Sequence, residues 1–494
     1  MQGQPLVLAI DQGTTGTTAL LINDRIEVVA RHNVEFKNHY PKPGLVEHDV
    51  ADIWKSIEQA VRGALKAAAA DASAIQAIGV TNQRETCLFW DRASGEPIHR
   101  AIVWQDRRTS AHCRELKEAG HEPTFRKRTG LLLDPYFSGT KASWLLRNVP
   151  GAQGRAQRGE LCFGTIDTWV THRLTGGAAH VTDPSNASRT LMFNLRTLDW
   201  DDELLDVLGV PRATLPRIGD TSEVFGTTRG VGFLPDGIPV AGIIGDQQGA
   251  MFGQACFQRG MAKCTYGTGS FILLNTGSTP TPSSRGMLTT VLWRIGGQTS
   301  YALEGSVFIA GAAVQWLRDG LGIIKDSADV ESLAASVPDA GGVIFVPALT
   351  GLGAPHWNPE ARGVISGLTR GTTAAHLARA TLDGIALSID DVMRAMSGDL
   401  GDGLRELRVD GGASANTLLM QRQADLAGID CVRPKVIETT ALGSGLLAGL
   451  AVGVWSDLDD IAAAWSEDAR FKPSGDPAEL TAVRRAWASA IERA

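Results

Sequence analysis

The stretch that decides the fold is Leu6-Val-Leu-Ala-Ile10, followed by Asp11-Gln-Gly-Thr-Thr-Gly-Thr-Thr18 and then by Ala19-Leu-Leu-Ile22. Two short apolar runs on either side of a turn rich in glycine and threonine predict a β-hairpin with a polar tip. Glycine lets the backbone approach a ligand closely, successive N–H groups can surround an anion, and the threonines add hydroxyl donors. The hairpin is therefore a candidate phosphate-binding turn, with an ordinary hairpin turn as the alternative.

A related pattern recurs far downstream. The apolar segments Ala262-Lys-Cys-Thr-Tyr266 and Phe271-Ile-Leu-Leu274 flank the turn Gly267-Thr-Gly-Ser270. Self-similarity of this kind is typical of a chain with two related halves, each carrying its own turn.

Predicted strands alternate with predicted helices over most of the chain. Residues 75–81 have the apolar run of a buried strand, and residues 50–70 have apolar side chains at helical spacing. This alternation predicts an α/β protein with mixed sheets flanked by helices. We expect two domains, residues 1–252 and 253–494, and a helical tail after about residue 456.

Composition excludes several classes of protein. Of the 494 residues, 43% are hydrophobic and 20% are charged, which argues against intrinsic disorder. Lys and Arg number 47 against 54 Asp and Glu, a net charge of −7 without a long basic run, so neither nucleic acid nor an anionic membrane is an expected partner. No stretch approaches the roughly 20 apolar residues that span a bilayer.

Motif absences narrow the chemistry further. The 6 cysteines include no C-x-x-C pair, so neither a zinc site nor a disulfide framework is indicated. No Gly-Lys pair occurs, which excludes a Walker A loop, and neither G-x-S-x-G nor H-E-x-x-H is present. With no leader pattern at the N-terminus, the cytoplasm is the expected compartment.

Three polar positions are candidates for chemistry. Asp11, at the end of the first predicted strand, is placed to bind hydrated Mg²⁺, which prefers one or two carboxylates together with phosphate oxygens. Asp246 follows the apolar run Ile243-Ile-Gly245 and is either a general base or a helix cap. Asn82-Gln-Arg84-Glu85 interrupts two buried runs, so its side chains meet either a ligand or one another as an Arg84–Glu85 ion pair.

Longer motifs add a family resemblance. Tyr136-Phe-Ser-Gly-Thr-Lys141-Ala-Ser-Trp144, and Gly363-Val-Ile-Ser-Gly367 continuing to Asp383, are similar to the two signatures of the FGGY carbohydrate kinases. Thr81-Asn-Gln-Arg-Glu-Thr86 and Asn186-Ala-Ser-Arg-Thr190 resemble stretches typical of the members that phosphorylate glycerol. The Arg84-Glu85 pair within the first of these is the most specific part of the resemblance.

The resemblance implies a fold and an activity. The fold is the actin-like ATPase (ribonuclease H-like) fold, with two related α/β domains on either side of a cleft. The activity is ATP-dependent phosphorylation of glycerol to sn-glycerol 3-phosphate, with ATP and Mg²⁺ as cofactors and a homodimer or homotetramer as the assembly.

The resemblance also implies roles for individual residues, with Asp246 as the catalytic base. The polyol-binding residues that it implies are Arg84, Glu85, Trp104, Tyr136, Asp246, Gln247 and Phe271. The nucleotide-binding residues are Thr14, Thr15, Gly16, Thr18, Thr268, Gly311, Gln315, Gly412 and Asn416. The metal-binding residues are Asp11 and Asp246.

Two departures from the family pattern and two alternatives stand beside this interpretation. Thr18 occupies a position where many bacterial relatives that phosphorylate glycerol have Arg, which removes a bidentate phosphate donor. The loop 226–237 has Arg229 as its single basic residue, so control by fructose bisphosphate is not expected. The alternatives are a kinase of another small polyol, such as a tetritol, and an actin- or chaperone-like ATPase without a polyol acceptor.

Overall fold

A computed structural model describes residues 5–401 and 403–494 of the chain. Within this part, two large mixed β-sheets follow one another in sequence, and helices pack between and around them. We call them the N-terminal sheet and the C-terminal sheet. The α/β class with mixed sheets that the sequence predicts is confirmed.

The N-terminal sheet has six strands in the order β5-β6-β4-β1-β2-β3. Their bounds are β1 Leu6–Gln12, β2 Gly16–Asn23, β3 Val28–Glu35, β4 Ile75–Asn82, β5 Ser222–Thr227 and β6 Pro239–Gly245. The predicted hairpin is β1 and β2, paired antiparallel, while β4 runs parallel to β1 and β6 runs parallel to β4.

The C-terminal sheet has seven strands in the order β9-β10-β8-β7-β11-β12-β13. Their bounds are β7 Met261–Tyr266, β8 Ser270–Gly277, β9 Leu288–Ile295, β10 Gln298–Val307, β11 Glu406–Asp410, β12 Cys431–Pro434 and β13 Glu467–Phe471.

The two sheets share one order of strand directions, although their connections differ. In the chain β9 lies between β8 and β10, and β5 precedes β6 whereas β13 follows β12. In each sheet, an antiparallel hairpin is extended on one side by a third antiparallel strand, β3 or β10. On the other side lie two parallel strands and a final antiparallel strand, β5 or β13. The recurrence of the Gly/Thr hairpin in the sequence therefore marks a true structural repeat, since the two turns occupy equivalent places in their sheets.

Of the seven helices described next, the first six pack against the two sheets or extend from their strands, and the seventh packs on the short strands Ile344–Val346 and Val364–Ser366. The seven are α1 Val50–Ala68, α2 Asp246–Gly253, α3 Gly311–Asp319, α4 Ala374–Leu400, α5 Thr417–Ala427, α6 Thr439–Ala451 and α7 Pro477–Ile491. Local sequence explains where they begin and end. Asp49 caps α1 by accepting a hydrogen bond from the Ala51 N–H, and α5 begins after the Asn416 cap and stops at Gly428 in the left-handed region.

The remaining elements are short. The other strands are Asn38–His39, Glu47–His48, Cys87–Asp91, Ala101–Ile102, Leu161–Thr165, Val181–Thr182, Phe193–Asn194, Asp199–Trp200, Arg217–Ile218, Ile344–Val346 and Val364–Ser366. The other α-helices are Ser110–Glu118, Glu122–Thr129, Ser138–Asn148, Ala152–Gln157, Ile166–Leu174, Pro184–Ala187, Asp202–Leu208, Asp329–Ala335 and Leu458–Ala464. The 3₁₀ turns are Ala72–Ala74, Arg212–Thr214 and Gly412–Ala415.

Helices α2 and α6 cross closely between the two sheets. A Cβ atom placed on Gly443 of α6 would lie 2.0 Å from the Gly249 carbonyl oxygen of α2, and one on Gly253 would lie 2.1 Å from the Thr439 carbonyl oxygen. Glycine is required here because any side chain would strike the backbone of the partner helix. This tight crossing explains Gly443 and fixes α2, which carries Asp246 at its first position, whereas Gly445 and Gly449 of α6 face Ile22 and Trp455.

The end of the chain differs from the sequence prediction. The sequence predicts a helical tail after about residue 456, but Glu467–Phe471 forms β13 and pairs antiparallel with β12. Tertiary pairing decides this short strand, because it completes the C-terminal sheet at the position that β5 fills in the N-terminal sheet. Among the described residues, we find no helix with the length and apolar character needed to cross a membrane.

Candidate active site

The first turn, residues 13–15, joins β1 to β2. It is closed by the Gly13 N–H, which donates to the Gly16 carbonyl at 2.9 Å. Thr15 is exposed at the tip and Thr14 and Gly16 are half-buried, so backbone and hydroxyl donors remain accessible. The Thr14 hydroxyl accepts a hydrogen bond from the Trp104 indole N–H at 2.9 Å, which places a predicted polyol residue against a predicted phosphate turn.

Thr18 lies on β2 rather than in the turn. It pairs directly with Asp11 of β1, and its buried hydroxyl accepts a hydrogen bond from the Asn33 amide at 2.9 Å. Opposed residues of an antiparallel pair share one face of the sheet, so Thr18 and Asp11 point to the same side. The Thr18 side chain is shorter than an arginine at this position would be, so it extends less far beyond Asp11.

The second turn, residues 267–269, joins β7 to β8 and also fixes the start of α3. Its Gly267 N–H donates to the Gly269 carbonyl at 2.9 Å. The Thr268 carbonyl accepts from the N–H groups of Ala310 and Ala312, and the Gly267 carbonyl accepts from the Gly311 N–H at 3.0 Å. The two predicted nucleotide residues Thr268 and Gly311 are therefore brought together, with the Thr268 side chain exposed.

The other predicted nucleotide-binding residues lie near the second turn. Gly411 has a φ of 84°, and a Cβ atom there would lie 2.5 Å from the Tyr266 carbonyl oxygen, so this loop packs against the end of β7. Gly412 and Gln315 are exposed, while the Asn416 side chain is used to cap α5 through the Leu419 N–H at 2.8 Å. Gln315 lies one turn after Gly311 on α3, and the spacing puts both on one face of that helix.

Arg84 is the centre of the predicted polyol site. Its guanidinium is buried, and Nη1 and Nη2 donate to the two carboxylate oxygens of Glu304 at 2.6 and 2.9 Å. Its Nε lies 3.1 Å from the Asp246 carboxylate, and the Tyr136 hydroxyl is 3.5 Å from Nη2. The Arg84–Glu85 ion pair that the sequence offers as an alternative is present at 3.8 Å, but it is part of a larger buried network in which Glu304 is the main partner of Arg84.

Asp246 stands at the first position of α2, where β6 ends at Gly245. Its Oδ1 accepts from the Gln247 N–H at 2.7 Å and lies beside Arg84. The helix-cap alternative is wrong, because Gly245 is the N-cap of α2 and no side chain makes a capping hydrogen bond there. Burial raises the pKa of the Asp246 carboxyl, and this effect outweighs the opposing influence of Arg84 and the Gln247 N–H. A carboxyl whose pKa is moved toward neutral is suited to general-base work.

Gln247 and Phe271 come from different parts of the chain, Gln247 from α2 and Phe271 from β8. The Gln247 side-chain carbonyl accepts a hydrogen bond from the buried ammonium of Lys263 on β7, which leaves its amide N–H₂ free to donate elsewhere. Strand register places Lys263, Leu273 and Glu304 in one row of the C-terminal sheet. Phe271 is in the next row on the same face, nearer the second turn, so it lies beside this cluster.

Two aromatic residues complete the predicted pocket. The rings of Trp104 and Tyr136 meet edge to face, with centroids 5.6 Å apart. The Lys141 ammonium, fully buried, donates to the Tyr136 carbonyl at 2.7 Å and approaches the Trp104 carbonyl at 3.4 Å. Burial lowers the pKa of Lys141 to about 8. This lysine, part of the first signature stretch, therefore fixes the backbone that carries both rings.

The donor chemistry around Asp11 fits Mg²⁺. Burial and the negative charge of Asp246 raise the pKa of the Asp11 carboxyl to about 8, so the two carboxylates are near enough to repel each other. A divalent cation between them would relieve that repulsion. Among the described residues no group of three or more His, Cys, Asp or Glu side chains could hold a metal ion, so further ligands would have to be phosphate oxygens and water.

Three charged residues of this site are not predicted by the sequence: Glu304, Arg189 and Lys263. Glu304 and Lys263 are each the single charged residue of a strand, within Leu303-Glu304-Gly305 and Ala262-Lys263-Cys264, which is the signal that could have found them. Arg189 lies within the stretch 186–190 that carries part of the resemblance, but its partners come from distant parts of the chain.

Comparisons with known proteins agree with this geometry. The model of the N-terminal domain of the FGGY family of carbohydrate kinases matches residues 6–253, and that of the C-terminal domain matches residues 262–452. The chain is 57% identical to a glycerol kinase of Myxococcus xanthus over 490 residues, 99% of each chain. It is 54% identical to a glycerol kinase of Deinococcus radiodurans, covering 100% of this chain and 98% of the relative.

Solved structures show the same fold. A Plasmodium falciparum glycerol kinase crystallised with ADP superposes with a TM-score of 0.94 at 35% identity, covering 100% of this chain and 99% of that one. A ligand-bound xylulose kinase from Lactobacillus acidophilus superposes with a TM-score of 0.88 at 23% identity, covering 100% of this chain and 97% of that one, which supports the fold alone. The two-domain actin-like architecture expected from the sequence is confirmed.

Proposed function

Since the chain belongs to the FGGY family of carbohydrate kinases, we propose that it transfers the γ-phosphoryl group of ATP to glycerol, giving sn-glycerol 3-phosphate. The observation that carries this proposal is identity of more than half the residues, over nearly full length, to relatives named glycerol kinase. The placement of Arg84 and Asp246 supports this proposal, because the two charged groups lie together in a largely buried site where a small polyol can bind. No observation favours the tetritol kinase or the chaperone-like ATPase.

Polyol binding depends on the donors and acceptors present. Arg84 and the Gln247 amide N–H₂ donate to hydroxyl oxygens, while the carboxylates of Glu85 and Asp246 accept hydroxyl protons. Trp104 and Phe271 cover the carbon chain, and the Tyr136 hydroxyl adds a further polar contact. A pocket built to pair each hydroxyl rejects analogues that lack one, because its buried groups would be left unpaired.

Proton transfer falls to Asp246. It accepts the proton of a terminal hydroxyl, and the oxygen so activated attacks the γ-phosphorus in line. The raised pKa of its carboxyl increases the driving force for this step. The Arg84 Nε lies 3.1 Å from this carboxylate, but both Nη groups are engaged by Glu304, so the guanidinium does not chelate Asp246 and its oxygens stay available to accept a proton.

Phosphate binding is assigned to the two turns. N–H groups of residues 14–16 and 268–269, with the hydroxyls of Thr14, Thr15 and Thr268, bind the phosphoryl oxygens. Thr18 adds a short hydroxyl on the β2 side. Gly311, Gln315, Gly412 and Asn416 hold the nucleoside. Asp11 and Asp246 would hold Mg²⁺, which when bound neutralises charge on the phosphoryl oxygens.

Three organisational points belong to the same proposal. We place the domain boundary between residues 252 and 253, at the end of α2, so that the cleft lies between the two sheets. Assembly as a homodimer or homotetramer stays a prediction. So does a cytoplasmic location.

The test is an assay of ADP release by the purified protein. It is run over a panel of polyols and sugars that includes glycerol and a tetritol, with a control lacking any acceptor. We expect release that depends on acceptor and is fastest with glycerol. Faster ADP release with a tetritol than with glycerol would show that the tetritol is the acceptor. An equal rate of ADP release without any acceptor would overturn the kinase assignment.

A further inference from the structure

Four buried charged side chains form a ring that joins the two sheets. Arg189 donates from Nε to Glu85 at 2.7 Å and from Nη2 to Glu304 at 2.9 Å, and Glu304 also accepts both Nη groups of Arg84. Glu304 lies on β10 of the C-terminal sheet, whereas Arg84, Glu85 and Arg189 come from the first half of the chain. The Arg84–Glu304 contact spans 220 positions in sequence.

The ring is charged and dry. Arg84, Glu85, Arg189 and Glu304 are each at most 2% exposed. The two guanidinium groups hold the pKa of Glu304 down to about 2 in spite of its burial, so its carboxylate is ionised at neutral pH. With Asp246 and Lys263 counted in, three carboxylates face three cations. An uncompensated charge in such a place is far more costly than one at the surface, so each member restricts where the others can lie.

We propose that Glu304 is a positioning residue for the polyol site, reaching across from the C-terminal sheet to hold the guanidinium of Arg84 in its binding orientation. The inference rests on the proposed function and adds to it a residue that contacts no polyol itself. Arg189 is a second positioning residue, because its guanidinium donates hydrogen bonds to both Glu304 and the proposed polyol-binding residue Glu85.

The geometry of Arg84 explains why such a residue is needed. Nη1 is used by Glu304 and by the Gln248 side-chain carbonyl at 3.2 Å, and Nη2 is used by Glu304 and approaches Tyr136. Only Nε faces Asp246. It lies 3.1 Å from the Asp246 carboxylate, but it makes no hydrogen bond to any of the described residues. Without Glu304, the same guanidinium would turn its paired Nη groups onto Asp246, since bidentate pairing with a carboxylate is its preferred mode. The polyol would then lose its donor.

The ring also makes polyol binding depend on the relation of the two sheets. Lys263 of β7 acts on Gln247 as Glu304 acts on Arg84. It lies in the same row of the C-terminal sheet as Glu304, and its ammonium donates a hydrogen bond to the Gln247 side chain. Two ligands of the polyol carried by the first half of the chain are thus held by side chains of the second half. Separation of the sheets would release both.

The experiment compares the wild type with Glu304→Gln, which keeps size and one acceptor but cannot chelate two N–H groups. Asp390→Asn is the matched control. Asp390 is a buried carboxylate on α4, away from the ring, and it accepts two hydrogen bonds from Arg484, at 2.7 and 3.1 Å. Initial rates are measured against glycerol at saturating ATP and against ATP at saturating glycerol. We expect the glycerol KM of Glu304→Gln to rise about 10-fold or more while the KM for ATP stays within about 2-fold.

Asp390→Asn is expected to melt at a lower temperature with its glycerol KM unchanged. If Glu304→Gln does not fold, Arg189→Lys serves instead. Lysine keeps the charge but lacks the two separate nitrogens, Nε and Nη2, that Arg189 places on Glu85 and Glu304, so the same rise in glycerol KM is expected. A folded Glu304→Gln or Arg189→Lys enzyme with wild-type glycerol KM overturns the inference alone. A wild type that turns over no polyol overturns the proposed function, and the inference with it.

Discussion

Trp104 donates its indole N–H to the hydroxyl of Thr14 across 2.9 Å, so the wall of the proposed polyol pocket and the tip of the first turn form one hydrogen-bonded unit. The backbone N–H of Trp104 is held in turn by the Thr86 hydroxyl at 3.2 Å, and Thr86 donates to Gln83, whose amide reaches the Gly13 carbonyl. The polar segment after β4 thus supports both the acceptor pocket and the phosphate turn.

The first prediction removes the indole donor. Trp104→Phe keeps an aromatic wall but leaves Thr14 without its partner, a loss of about 1 kcal/mol for one neutral hydrogen bond. We expect kcat/KM for ATP to fall about 3- to 10-fold, with a smaller change in the glycerol KM. Trp455→Phe is the control, because its indole makes an equivalent bond to the Asp24 carbonyl at 2.9 Å away from the site. Equal kinetic losses in both variants would contradict the coupling.

The second prediction concerns the crossing of α2 and α6. Gly443→Ala would put a methyl group 2.0 Å from the Gly249 carbonyl oxygen, so the helices must separate. We expect a destabilisation of about 1–3 kcal/mol, as for overpacked interiors, measured as a shift of the denaturation midpoint. Gly154→Ala is the matched helical control, since its nearest neighbour is the flexible end of the Arg158 side chain at 3.4 Å, and it should be neutral or mildly stabilising. An unshifted midpoint for Gly443→Ala would contradict the tight crossing.

The third prediction is a pH dependence of stability. Burial lowers the pKa of His180 to about 4 from an ordinary 6.5, while its Nε2–H donates to the Phe163 carbonyl at 2.8 Å. The unfolded chain therefore binds more protons between pH 4 and 6.5, and stability falls as the pH drops through that window. His180→Gln keeps a donor but cannot titrate, so its melting temperature should decline less from pH 7 to pH 5 than that of the wild type. An equal or steeper decline would count against a neutral buried His180.

The fourth prediction concerns the metal. Asp11→Asn removes one of the two carboxylates assigned to Mg²⁺, so the Mg²⁺ concentration for half-maximal rate should rise about 10-fold or more. Chelation of Mg²⁺ should abolish turnover of the wild type. Asp71→Asn, a change at an exposed cap before a single 3₁₀ turn, is the control and should leave the Mg²⁺ dependence unchanged. An Asp11→Asn enzyme with wild-type Mg²⁺ dependence would remove Asp11 from the metal site.

Sequence reasoning succeeds where local rules decide the outcome. Both hairpins are predicted by apolar runs around Gly/Thr turns, and α1 is predicted by the helical spacing of its apolar residues. Asp246 and Arg84 are identified because polar residues between buried runs need partners, which makes them candidates for chemistry. The roles of the individual nucleotide residues come from the family resemblance rather than from the residues themselves.

What the sequence does not reveal depends on contacts between distant segments. In the sequence, Glu304 is one charged residue of a predicted strand, and no neighbouring residue indicates that Arg84 and Arg189 are its partners. Lys263 likewise gains its role from Gln247, on the other side of the cleft. The strand Glu467–Phe471 escapes prediction for a related reason, because its pairing with Cys431–Pro434 is fixed by the sheet edge rather than by its own composition.

Activation of a glycerol hydroxyl by Asp246 for attack on ATP is the step on which the proposed reaction depends. It is tested by phosphorus NMR of a mixture of ATP, Mg²⁺ and glycerol, with the wild type and with Asp246→Asn, which keeps the acceptor for the Gln247 N–H. We predict a glycerol phosphate signal that grows with ADP in the wild type, and a rate about 10²- to 10⁴-fold lower in the variant. Glycerol phosphate formed by a folded Asp246→Asn enzyme at the wild-type rate would show that Asp246 is not the base.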